Sequence, residues 1–227
     1  MRTAAPQATT LRDVTDVQTL SRRPDVPTEK RQATEAAVLT AIEELLAEGT
    51  PYAALSVERI ATRAGISRTA FYFYFADKRE VLMRLAAKLS DEFYREADAW
   101  WSGDGDGSEQ LTAAVGKIAA LYHAHSPLVC AIVEVSAYDE VVGPFWRALV
   151  ERFVDASAQR IATEIAAGRA DAGLVPHAIS FSLVWMTERA LYQMLAQDDS
   201  VDADDLVRAL GRIWTSTVYG RPPGPPA

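Results

Sequence analysis

Few side chains in this 227-residue chain are equipped to do chemistry, and most of them crowd into one short stretch. Arg68-Thr-Ala-Phe-Tyr-Phe-Tyr-Phe75 holds a guanidinium, three hydroxyls and an unbroken run of aromatic rings. On a helix advancing about 100° per residue, Phe71 and Phe75 fall together on an inner side, and Arg68, Thr69, Tyr72 and Phe73 face the opposite arc. The run from Phe71 to Phe75 surrounds the helix, so some rings are exposed, and exposed aromatics require a partner. That arc suits DNA. Arg68 can pair bidentately with a guanine, Phe73 can pack on a thymine methyl or a sugar, and the hydroxyls can reach phosphates. Lys78 lies in the first turn of the next helix, where a cation beside free backbone amides would clamp a phosphate.

Catalytic signatures are missing. There is no Gly-x-Ser-x-Gly elbow, no His-Glu-x-x-His pair and no phosphate loop. His123 and His125 stand two apart on a helix and diverge, and His177 simply follows Pro176. Neither a metal site nor a cofactor is expected. Cys130 is the sole cysteine, which excludes an internal disulfide, and its apolar setting at Leu128–Val135 reads as core. The Gly/Asp segment 102–108 lacks the ligand spacing and closing Glu of a calcium loop and reads as a flexible connector.

The elements that must position these groups are helical throughout. Residues 1–27 carry three prolines and no sustained period, which predicts a mobile arm. From Thr28, apolar residues recur at three- and four-residue steps through Ala37, Leu39, Ile42, Leu45 and Leu46, until Gly49 and Pro51 stop the helix. Ser56 opens a second helix, with Leu55 and Ile60 placed as a hydrophobic staple. Gly65 ends it, Ile66 anchors the turn, and Ser67 can cap a third short helix. Asp77 and Glu80 form a capping pair for a long helix reaching about Trp101. Further helices are expected at Glu109–Ala124, after Pro127, near Pro144–Arg169, at Pro176–Gln197 and at Asp202–Tyr219, followed by a flexible tail at 221–227. The fold class is therefore all-α, with a three-helix helix-turn-helix domain over 28–80 and a larger helical domain over 81–220.

The net charge of -8 fits that division. Through Glu80, 11 Lys/Arg balance 11 Asp/Glu; from Val81 onward, 12 face 20. The excess acid lies outside the candidate reading head, where Arg59, Arg63, Arg68, Lys78 and Arg79 make a locally basic segment. No apolar run approaches the roughly 18 residues of a membrane span, and the N-terminus lacks a signal-type apolar region, so a cytoplasmic protein with no membrane partner is expected.

The segment Ser56-Val-Glu-Arg-Ile-Ala-Thr-Arg-Ala-Gly-Ile-Ser-Arg-Thr-Ala-Phe-Tyr-Phe-Tyr-Phe-Ala-Asp-Lys-Arg-Glu-Val-Leu82 resembles the signature of TetR-family transcriptional regulators, over roughly residues 30–85. The resemblance implies that Arg68 and Thr69 begin the recognition helix, that Tyr72 and Tyr74 contact DNA, and that Lys78 holds a phosphate. Ser56 and Ser67 complete the DNA-facing set at the helix starts. Family members often carry His where this chain has Tyr74, and the helical wheel puts Tyr74 off the main DNA arc.

Further on, Phe145-Trp146, Trp185-Met-Thr-Glu-Arg-Ala-Leu-Tyr192 and Arg212-Ile-Trp-Thr-Ser-Thr-Val-Tyr-Gly220 resemble a mycobacterial branch of that family. Its sensor domain holds an aromatic-lined tunnel for small apolar effectors. By resemblance, Leu111, Ile118, Tyr122, Trp146, Val150, Phe153, Thr187, Glu188 and Trp214 would bind the effector, with Thr187 and Glu188 as the polar end. The family also implies a homodimer through the last two helices. Symmetry would then set the recognition helices about 34–36 Å apart on a palindromic double-stranded operator. Ligand would shift the helix that begins at Asp77 and release the DNA. Two other readings stay open: a ligand-independent DNA-organising protein and a helical enzyme.

Overall fold

The computed structural model describes residues 29–197 and 201–220, so the expected arm at 1–27 and tail at 221–227 lie outside the described residues. Helix α1, Glu29–Ala47, buries Val38, Ala41, Ile42, Leu45 and Leu46, which leaves Ala37 and Leu39 at the edge of the apolar face. A 3-10 turn at Tyr52–Ala54, not expected from the sequence, leads into α2, Val57–Arg63. Ser56 caps α2 by accepting from the Arg59 amide at 3.2 Å, and both staple residues, Leu55 and Ile60, are buried. Gly65 then takes φ +70°, where a side chain would be strained, so Ile66 N–H can return to Ala61 O at 2.9 Å. That reversal sets up α3, Arg68–Tyr74, which Ser67 caps by accepting from Ala70 N at 3.0 Å.

Helix α4, Lys78–Ser102, starts on a double cap. Asp77 accepts from the Arg79 and Glu80 amides at 2.8 and 3.0 Å, and Glu80 reaches back to the Ala76 amide at 2.7 Å. The expected boundary between residues 80 and 81 falls inside this continuous helix, whose first turns bury Val81, Leu82 and Leu85. Helix α5, Gly107–Ala124, starts earlier than expected because Asp106 caps the Ser108 and Glu109 amides. The connector before it is held as well, since Arg160 Nη1 donates to Gly103 O at 2.9 Å. Helices α6 (Ser126–Ser136), α7 (Val142–Ala166), α8 (Pro176–Ala196) and α9 (Ala203–Tyr219) complete the order, with no strand among the described residues.

One continuous apolar cluster runs from Val38 in α1 to Val218 in α9. Helix α7 packs along α8, α5 lies between α4 and α9, and α6 reaches α1. The reading head therefore meets the larger helical body through α4 and through the α1–α6 contact. Arg84 of α4 reinforces the head by bonding Glu35 of α1 at 3.1 Å and Glu80 at 2.7 Å. No single helix among the described residues is long and apolar enough to cross a membrane.

Candidate DNA interface and apolar cavity

Helix α3 divides as its spacing predicts. Phe71 and Phe75 are fully buried, with ring centroids 5.5 Å apart. Tyr72 and Phe73 stand 47% and 63% exposed, beside exposed Arg68 and Thr69. Two aromatic rings held in water by a seven-residue helix are poor solubility chemistry and good contact chemistry. The Arg68 guanidinium carbon lies 5.8 Å from the Tyr72 ring centre, so the ring orients the cation and leaves its N–H fork available to a base edge or phosphate. Ser56 and Ser67 accept backbone N–H groups with their oxygens, and each hydroxyl keeps a proton to donate outward.

Tyr74 does not join this arc. It is half-buried against the core, edge-on to Phe73, with the Arg31 guanidinium 5.9 Å from its ring. Lys78 departs further from the sequence reading. Its ammonium donates to Tyr52 O, Ala53 O and Leu55 O at 3.0, 3.3 and 2.8 Å, and rests 4.6 Å over the Tyr52 ring. The amides beside it are capped by Asp77, so the expected free clamp is replaced by a tie from α4 to the 3-10 turn. Replacing Lys78 with Met is expected to lower unfolding stability by about 1–3 kcal/mol, because partly buried carbonyls lose their donor. Urea denaturation checks this; unchanged stability with weakened DNA binding would return Lys78 to the phosphate role.

The basic segment is thinner than its composition suggests. Arg63 is paired with Glu44 and Glu48, Arg79 with Asp77 and Asp139, and Arg59 donates to Thr50. Arg68 makes no ion pair among the described residues, so its cation on α3 is available to a partner.

Behind the head lies a cavity of about 100 Å³ walled almost wholly by apolar atoms. All nine positions inferred by resemblance border it: Leu111, Ile118, Tyr122, Trp146, Val150, Phe153, Thr187, Glu188 and Trp214. Helix α4 supplies a wall that the sequence reading missed, formed by Ser90, Phe93, Ala97, Trp100 and Trp101. The signal for it was present as an apolar face at Phe93, Ala97 and Trp100, but such a face looks the same whether it borders space or atoms. Phe93 stacks on Tyr122 at 5.1 Å, and Trp100 meets Trp214 edge-on at 5.7 Å.

The two residues named as the polar end differ. Thr187 accepts from Trp214 Nε1 and donates to Leu183 O, both at 2.8 Å, so its hydroxyl is occupied within the protein. Glu188 is 5% exposed, and neither carboxyl oxygen has a well-formed hydrogen bond among the described residues, its neighbouring donors being the Trp146 indole and Arg189. Burial pushes this carboxyl above its ordinary range, and Arg189 and the Trp146 indole only partly offset that. Burial also raises the Cys130 thiol, which keeps it protonated. His177 lies 3.2 Å from Glu151 and 3.9 Å from Asp155 at the surface, an ion-pair cluster joining α8 to α7. His125 stands apart, with Glu92 3.7 Å away.

A capped helix-turn-helix with an exposed cation-and-aromatic arc, set on a helical body with an apolar cavity, defines a DNA-binding regulator. The comparisons give the family. Residues 38–85 match the profile of bacterial regulatory proteins of the tetR family, and residues 111–220 match the C-terminal domain of the transcriptional regulator EthR. The HTH-type transcriptional regulator EthR of Mycobacterium tuberculosis is 30% identical over 193 residues, covering 82% of this chain and 87% of the relative. A TetR-family regulator from Syntrophomonas wolfei superposes with a TM-score of 0.70 at 14% identity, covering 82% of this chain and 94% of its own. The FadR repressor of Thermus thermophilus, solved with lauroyl-CoA, gives 0.65 at 17% identity, covering 85% and 99%. The chain belongs to the TetR family of helix-turn-helix transcriptional regulators, with an EthR-like C-terminal domain.

Proposed function

We propose that this regulator is a cytoplasmic homodimeric repressor, released from a palindromic operator by a small apolar effector. The carrying observation is the double duty of α4. Its first turn is capped directly behind the recognition helix, and its later turns wall the cavity. Typical ligand pockets span about 300–1,000 Å³. A cavity of about 100 Å³ therefore admits an effector of that class only by moving its walls, and α4 is one of them. Moving α4 carries the reading head with it and changes the spacing of two heads in a dimer. Arg68, Thr69, Tyr72 and Phe73 are the direct readers in this account, with Ser56 and Ser67 on phosphates. No metal or cofactor takes part, and the chain acts as a binding protein rather than an enzyme.

The dimer reading draws on exposed apolar residues of the last two helices. Phe181 of α8 and Ile213 of α9 stand 49% and 42% exposed. Leu183, Leu191, Leu210 and Trp214 are buried within the chain, so the interface would use the outer edges of those helices. Placing Asp at both Phe181 and Ile213 is expected to yield monomers in sedimentation and to weaken operator binding, since one head then binds alone.

Footprinting on DNA upstream of the gene tests the whole proposal. Two protected half-sites one helical turn apart, lost on adding an alkyl ligand such as 2-decanone, are the expected result. Equal and strongly salt-dependent affinity for many unrelated sequences, unmoved by ligand, would replace it with a DNA-organising role.

A further inference from the structure

The cavity lining is mainly apolar, and its one carboxylate is Glu188. Glu188 projects a carboxyl from α8 into the lining, its side chain 4% exposed, with the Trp146 indole beside it but no well-formed hydrogen bond to either oxygen among the described residues. The nearest cation is Arg189, whose Nε lies 3.7 Å from Oε2, but that side chain is 54% exposed and faces out to water. Ser90, on the α4 wall, is the other lining residue with an unpartnered buried polar atom. A buried carboxyl served by one indole and an outward-facing guanidinium is under-compensated, and Leu or Met would fill the position without that penalty.

We propose that Glu188 receives the protonated amine of an otherwise alkyl or aromatic effector, so that the cavity selects basic apolar amines over acids. The inference rests on the effector reading above and sharpens it. An ammonium on the carboxyl forms a charge-assisted bond inside a low-dielectric site, and the rest of the ligand lies against Trp146, Phe153 and Trp214. A carboxylate placed there meets like charge. The field of the whole sensor half acts in the same direction, with 12 Lys/Arg against 20 Asp/Glu from Val81 onward. A neutral ketone tests the competing chemistry, in which a protonated Glu188 would donate to a carbonyl oxygen.

Calorimetric titration of the full-length protein with n-decylamine, 2-decanone and decanoate, each below its aggregation limit, decides the matter. The expected result is an affinity for decylamine about 10-fold or more above both others, the scale of one charged hydrogen bond. In Glu188→Gln that preference should shrink to within about 3-fold. Glu188→Leu should melt several degrees higher than the parent, which shows that a lost preference is not lost folding. Equal affinity for amine and ketone, or an undiminished amine preference in Glu188→Gln, overturns the inference and leaves the apolar-effector reading standing. Binding of none of the three overturns both.

Discussion

Phe71→Ala is expected to abolish operator binding by melting the reading head while the sensor helices stay folded. The ring is 0% exposed and lies between Phe75 and Tyr72 at 5.5 and 5.6 Å. Removing a buried phenyl costs about 3–5 kcal/mol through lost transfer energy and the cavity left behind. Helices α2 and α3 have seven residues each, far too short to persist without that packing. Their caps at Ser56 and Ser67 contribute only about 1 kcal/mol apiece and cannot replace the core. Hydrogen exchange should show α1–α3 losing protection while α5, α7 and α8 retain it. Uniform loss across the chain would mean that the head and the sensor fold as one cooperative unit.

Arg68→Ala should be the opposite kind of lesion. The side chain is exposed and makes no ion pair among the described residues, so thermal stability should stay unchanged. Operator affinity should fall by about 1–3 kcal/mol, roughly 5- to 150-fold, if the guanidinium reads a base edge. Substitution with Lys should restore only part of that, because a point charge cannot reproduce the bidentate fork. The salt dependence separates the two roles. A base-reading Arg68 relaxes specificity at one operator position. A phosphate-bound one weakens all sequences alike and flattens the salt slope by about one unit.

What could be read in the sequence followed from how local each feature is. Ser56, Gly65, Ser67 and Asp77 fix helix ends through bonds within five residues, so the helix-turn-helix and its exposed arc were legible from spacing. The tie made by Lys78 was not legible because its acceptors, Tyr52 O and Leu55 O, lie 26 and 23 residues earlier, in and just after an unforeseen 3-10 turn. The internal bond of Thr187 was hidden in the same way, since its indole donor comes from 27 residues further on. Periodicity shows which face of a helix is apolar and not what meets it. The cavity's nine residues came from resemblance, and its α4 wall appeared only once five helices were assembled.

That wall ties the two halves together. Ser90, Phe93 and Trp100 border the cavity on the same helix whose first turn is pinned by Asp77 and Lys78 behind α3. A second path runs through the loop after α6, where Asp139 lies 3.7 Å from Arg79. Only a small bias is required of either path: tenfold release corresponds to about 1.4 kcal/mol of differential binding.

The most direct test of that coupling is operator affinity by fluorescence anisotropy at saturating 2-decanone, a neutral ligand that does not itself compete for phosphates. Tryptophan fluorescence reports cavity occupancy in the same sample through Trp100, Trp146 and Trp214. The account predicts that operator Kd rises about tenfold or more as the cavity fills. A filled cavity with operator Kd unchanged would contradict it.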